Sequence, residues 1–87
     1  MIYKAAKTYT LQKDLKVRKG PGTNYAQKQF TELTQAGKSM AYIKKFAVLR
    51  AGSKVTCMKV IDNDKEIWLR IPDGYILAQS EKEIYVC

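Results

Sequence analysis

Leu15-Lys16-Val17-Arg18-Lys19-Gly20-Pro21-Gly22-Thr23-Asn24-Tyr25 is the stretch on which the fold turns. Leu15 and Val17 alternate with Lys16 and Arg18, the period of a half-buried strand. The next six residues stop that strand. Glycine supplies positive φ and proline fixes its own φ, so residues 19–24 predict a tight turn or loop. Tyr25 sits where that loop ends.

Upstream, residues 1–14 read as a lead-in with a short strand near 8–12, since Thr8, Tyr9 and Thr10 carry β-type side chains. Downstream, residues 26–45 are polar and basic, with Phe30, Leu33, Met40, Tyr42 and Ile43 dispersed among them. Phe30, Leu33 and Ala36 are three apart, which allows one or two helical turns over 29–36, ended by Gly37 as a C-terminal cap. A connection this long is uncommon in a compact domain unless it is functional. Beyond it the chain is β-rich: 46–49, a long strand over 54–61 with Val55 and Cys57 inward, 66–71, a very short strand at 75–77, and 84–86. Asp62-Asn63-Asp64-Lys65 and Pro72-Asp73-Gly74 mark the turns. Strands spaced by roughly ten residues predict an all-β sandwich or small, partly open barrel. The length, 87 residues, suits one domain over 1–87.

The charge is unevenly placed. Residues 1–59 carry thirteen lysines and arginines against Asp14 and Glu32 alone, whereas residues 60–87 carry three against six acids. The basic part favours anionic partners. No run of roughly 20 apolar residues could span a membrane. The first residues lack the apolar run of a secretory signal. Lysis or holin-type release is therefore expected if the chain acts outside a cell, unless it is a piece of a longer protein.

Catalysis is the weakest reading. Histidine is absent, so no Ser-His or Cys-His pair can form. Cys57 and Cys87 are not at metal-ligand spacing. Asp62, Asp64 and Glu66 lack the glycine and distal glutamate of a calcium loop and read as turn chemistry. Neither a metal nor a cofactor is expected.

The 15–25 stretch resembles the opening signature of bacterial Src-homology-3 domains: Leu-x-Val-Arg, then Gly-Pro-Gly-Thr-x-Tyr. Val48–Cys57 looks like that family's next hairpin, Ile67–Ile71 like its tryptophan strand, and Gly74-Tyr75-Ile76 like its closing Gly-Trp-Val. The resemblance covers 15–77 in order. The 26–45 connection is longer than the usual roughly ten residues and resembles the terminal domains of clostridial phage endolysins, particularly amidases. Ile67 and Tyr75 depart from the usual glycine and tryptophan.

The resemblance implies an SH3-like barrel that binds Gram-positive peptidoglycan or wall teichoic acid and carries a peptidoglycan hydrolase to the cell wall. It also implies Tyr25, Trp68 and Tyr75 as a ligand-facing aromatic cluster, with Trp68 partly exposed; the residues alone equally allow Trp68 to fill the core and Tyr25 to anchor its loop. Rings of this kind give contact area at low entropy cost. Met40 and Tyr42, in the long connection, either cover the barrel or form a ligand wall. Arg18, Lys44 and Lys45 are candidates for contacts with an anionic polymer, Arg18 alternatively pairing with Asp14 or Asp73. Two other readings stand beside this one: a protein- or peptide-docking adaptor, and a nucleic-acid-binding basic barrel using lysines and tyrosines. An exposed edge at 84–86 would allow self-association into a homo-oligomer.

Overall fold

The computed structural model describes residues 1–87. Seven short strands form in chain order: β1 (Thr8–Thr10), β2 (Leu15–Lys16), β3 (Val48–Leu49), β4 (Lys54–Thr56), β5 (Lys59–Asp62), β6 (Glu66–Ile71) and β7 (Gly74–Ser80). A 3-10 turn at Phe30–Glu32 and a short helix α1 at Gln35–Met40 lie in the long connection. Antiparallel pairing gives β1 with β4, β2 with β3, and a three-stranded β5-β6-β7 meander. The fold is all-β and partly open, as the strand spacing predicts.

Isolated bridges tie the three sheets together. Arg18 continues β2 and pairs with Tyr75 of β7, through Arg18 N–H to Tyr75 O at 2.9 Å and the return bond at 3.0 Å. Leu11 bridges Val86, and Gln79 bridges Ile84. Both sides of the 84–86 segment are therefore occupied: Tyr85 N–H reaches Ala78 O at 2.8 Å, and Cys87 N–H reaches Thr10 O at 2.9 Å. The open edge expected there is not free.

The core gathers residues from every strand but β5, whose Val60 packs half-buried against it, with Leu11, Val17, Leu49, Cys57, Leu69 and Ile76 fully buried. Both thiols are free, Cys57 buried and Cys87 exposed. Burial pushes the Cys57 thiol pKa up.

Four local expectations need correction. The single strand expected over 54–61 breaks at Cys57-Met58, because the chain changes partner there. Cys57 N–H bonds Lys7 O at 2.8 Å on the β1 side, whereas Met58 N–H bonds Arg70 O at 2.7 Å on the β6 side. The strand after Gly74 runs to Ser80, beyond the expected 75–77, because it stays paired along the whole of β6. The lead-in is part of the core. Tyr3 is buried, meets Tyr9 edge-on at 5.2 Å, and donates its hydroxyl to Val86 O at 2.6 Å.

Gly37, the fourth, lies inside α1 instead of capping its end. Thr34 caps the helix by accepting Gly37 N–H at 3.0 Å. The buried carboxylate of Asp73 accepts Thr34 N–H at 2.6 Å, which pins the helix start to the β6–β7 turn. A β-carbon at residue 37 would collide with that carboxylate and force it to move.

Candidate functional site

The motif loop starts from the end of β2. Lys28 N–H bonds Val17 O at 2.8 Å and Lys19 N–H bonds Ala26 O at 2.9 Å, so residues 17–28 close as a hairpin around the loop. Arg18 Nη1 donates to Tyr25 O at 3.0 Å and clasps its neck. Gly20 and Gly22 are buried and do not use positive φ, which occurs only at Gly52 and Gly74 among the glycines. Their role is space: the Tyr25 ring lies on both, and a β-carbon at residue 20 would enter it. Gly74 needs its positive φ of 143° and also close approach, since a β-carbon there would sit 2.7 Å from Arg18 O.

On the meander, Trp68 pairs with Leu77 and Ile61, so these three side chains share the face opposite Leu69 and Ile76. A register shift falls between Ile67 and Trp68. Such a bulge re-aims the side chains beside it. Trp68 is only 1% exposed, yet it lies outside the main apolar cluster. Its indole N–H donates to Glu66 Oε1 at 3.0 Å, which satisfies the ring's single donor. The partly exposed ring expected here is thus a buried one, a floor and not a wall.

Above that floor lies a groove of about 210 Å³, lined by Asp14, Leu15, Lys16, Arg18, Thr23, Trp68 and Leu77. It runs between the motif strand with its loop and the tryptophan strand. Asp14 stands at one side with both oxygens engaged: Tyr42 Oη donates to it at 2.8 Å and Ala51 N–H at 2.8 Å. The Ala51 bond, then the Tyr42 bond, holds the Asp14 carboxyl below the usual carboxylate range, and Asp14 in turn raises the Tyr42 phenol.

Of the candidate ligand residues, Trp68 lies beneath this groove, almost wholly covered, and Tyr42 reaches it through Asp14. Tyr75 sits across from Arg70 and Arg18, two positions along β7 from Leu77 and on the same face. Tyr25 packs on the loop glycines, and Met40 packs on the core. The aromatic cluster of Tyr25, Trp68 and Tyr75 does not line a single groove. Arg18 lines the groove and pairs with neither Asp14 nor Asp73; its guanidinium serves the loop neck. Thr23 and Leu77, missed by motif reasoning, complete the lining; Thr23 lies within the quoted stretch, but Leu77 gives no local signal.

Lys44 and Lys45 belong to a second groove of about 360 Å³, with Lys16, Gln27, Phe46 and Val48. It holds three ammonium groups and no acid. A third, larger depression of about 520 Å³ at the β5–β6 hairpin end is lined by Asn63, Lys65, Glu66, Ser80, Glu81 and Lys82. It offers no apolar side chain to desolvate a ligand, so the Trp68 groove is the better binding candidate despite its smaller volume. No three His, Cys, Asp or Glu side chains come together as a metal site would require. Comparisons with family models, curated proteins and solved structures return no match.

Proposed function

We propose that this chain is a non-catalytic cell-wall-binding module of the bacterial Src-homology-3 type. It holds Gram-positive peptidoglycan, or a polymer attached to it, and delivers a hydrolase to the wall. The observation that carries this reading is the Trp68 groove. The Gly-Pro-Gly-Thr loop and the tryptophan strand, far apart in sequence, flank one apolar-floored cleft with Thr23 and Arg18 in its lining. A small apolar floor with few convergent polar groups suits a peptide stem or the face of a sugar. The excess of lysine adds attraction to an anionic wall.

Co-sedimentation with purified Gram-positive sacculi, before and after acid extraction of teichoic acid, tests the reading. The wild-type chain should pellet with both preparations. Thr23→Arg puts a long side chain into the groove lining while adding positive charge, so it should lose pelleting if the groove recognises the wall. Undiminished pelleting of that variant would assign binding to charge alone. Absence of pelleting with any Gram-positive wall would remove the proposal.

A further inference from the structure

We propose that residues 42–46 form a second contact surface, one that docks on a bilayer containing anionic phospholipid. Ile43 is 90% exposed, the most exposed large apolar side chain of the molecule. Tyr42 and Phe46 flank it at 39% and 45% exposure. Lys44 Nζ lies 5.9 Å from the Tyr42 ring centre, and Lys45 Nζ lies 5.5 Å from that of Phe46. An apolar tip between two aromatic rings and two lysines matches the layering of a membrane interface. There the aliphatic side chain enters the acyl boundary, rings sit at headgroup level, and ammonium groups stay near phosphate.

Charge selects the lipid. Lys16, Lys44 and Lys45 share one groove with no acid in its lining, and neither ion pair of the molecule involves them. Three ammonium groups in one groove attract the phosphate of an anionic headgroup. The loop is also held in advance. Tyr42 N–H bonds Val48 O at 3.1 Å, Phe30 N–H bonds Lys45 O at 2.9 Å, and Ala47 N–H bonds Lys28 O at 2.8 Å. Little conformational entropy is then lost on docking. No helix of the structure is long and apolar enough to cross a membrane. Ile43 favours a bilayer over nucleic acid as the occupant. A 90% exposed aliphatic tip gains nothing from phosphate and buries more of its surface in an acyl layer than at a base edge.

The test is sedimentation with vesicles of equal parts phosphatidylcholine and phosphatidylglycerol, against phosphatidylcholine alone. The wild-type chain should bind only the anionic vesicles. Ile43→Ser should weaken binding about tenfold, from the apolar area it no longer buries. Lys44→Glu with Lys45→Glu should abolish it. Ile43→Trp should show a blue-shifted emission on anionic vesicles, against the constant signal of buried Trp68. Failure to bind anionic vesicles would overturn the proposal, as would binding indifferent to Ile43→Ser. Tighter capture of a mixed-sequence RNA, lost with the lysines but not with Ile43, would overturn it in favour of nucleic acid.

Discussion

Gly37 makes the residue-scale argument most sharply. Glycine inside a helix usually costs about 1 kcal/mol against alanine, so Gly37→Ala would ordinarily stabilise. Here the added methyl meets the Asp73 carboxylate, which is buried and already bonded to Thr34 N–H. Moving the carboxylate breaks that bond. Gly37→Ala should therefore destabilise by about 1–3 kcal/mol, read as a lower urea midpoint. A rise in the midpoint would show that the carboxylate yields freely. Trp68 is the second case. With 1% of its surface exposed, Trp68→Ala should cost about 3–5 kcal/mol, a large share of a small domain's stability. Its expected readout is a collapse in thermal midpoint. Loss of wall binding in that variant would say nothing about a ligand contact, which is why Thr23→Arg is the discriminating change.

At the scale of elements, the N-terminal segment behaves as a strap. Tyr3 donates its hydroxyl to Val86 O and Ala78 O, joining the first residues to β7 and to the last ones. Burial, then the charge of Cys87, pushes its phenol up from 10.0 to about 12. The raised value means that the folded state favours the neutral phenol. That contribution is complete below pH 10.0 and is lost as pH rises towards about 12. The urea midpoint should fall across that window in the wild type. Tyr3→Phe should start lower, lacking both hydrogen bonds, and should fall less steeply there. Equal slopes would show that other groups govern alkaline unfolding. The β4–β5 break belongs to this scale too. It lets one stretch of chain serve two sheets, and it places Cys57 in the core where the sheets meet.

At the scale of the whole molecule, charge and shape make separate contributions. The basic surplus lies in residues 1–59, which supply every lining residue of the lysine groove and all but Trp68 and Leu77 of the Trp68 groove. Attraction between exposed charges is screened within about 8 Å at physiological ionic strength. Wall binding in low salt should therefore be stronger and faster than in moderate salt, while a groove-dependent fraction persists. That fraction is read as the difference between the wild type and Thr23→Arg at each salt concentration. If the two coincide at moderate salt, recognition is electrostatic throughout.

The class of the fold was legible locally. Leu15 and Val17 alternate with lysine and arginine, Val55 and Cys57 both point inward, and turns fall at Asp62–Lys65 and Pro72–Gly74; each depends only on neighbours in the chain. The motif loop was legible as a loop, but the reason for its glycines was not. Space for the Tyr25 ring exists only once that ring has folded back. The lining of the candidate groove was legible in part: Arg18 and Trp68 are singled out by the motifs, whereas Thr23 and Leu77 join them only in the folded chain. The burial of Trp68, the strap made by Tyr3 and the helical setting of Gly37 were decided by tertiary structure alone. Each rests on a partner distant in the chain: Leu77 for Trp68, Asp73 for Gly37 and Val86 for Tyr3. Side-chain period and turn chemistry are properties of adjacent residues and survive in the sequence by itself. Burial, close approach and strand partnering are properties of pairs far apart in the chain, and only the folded chain brings those pairs together.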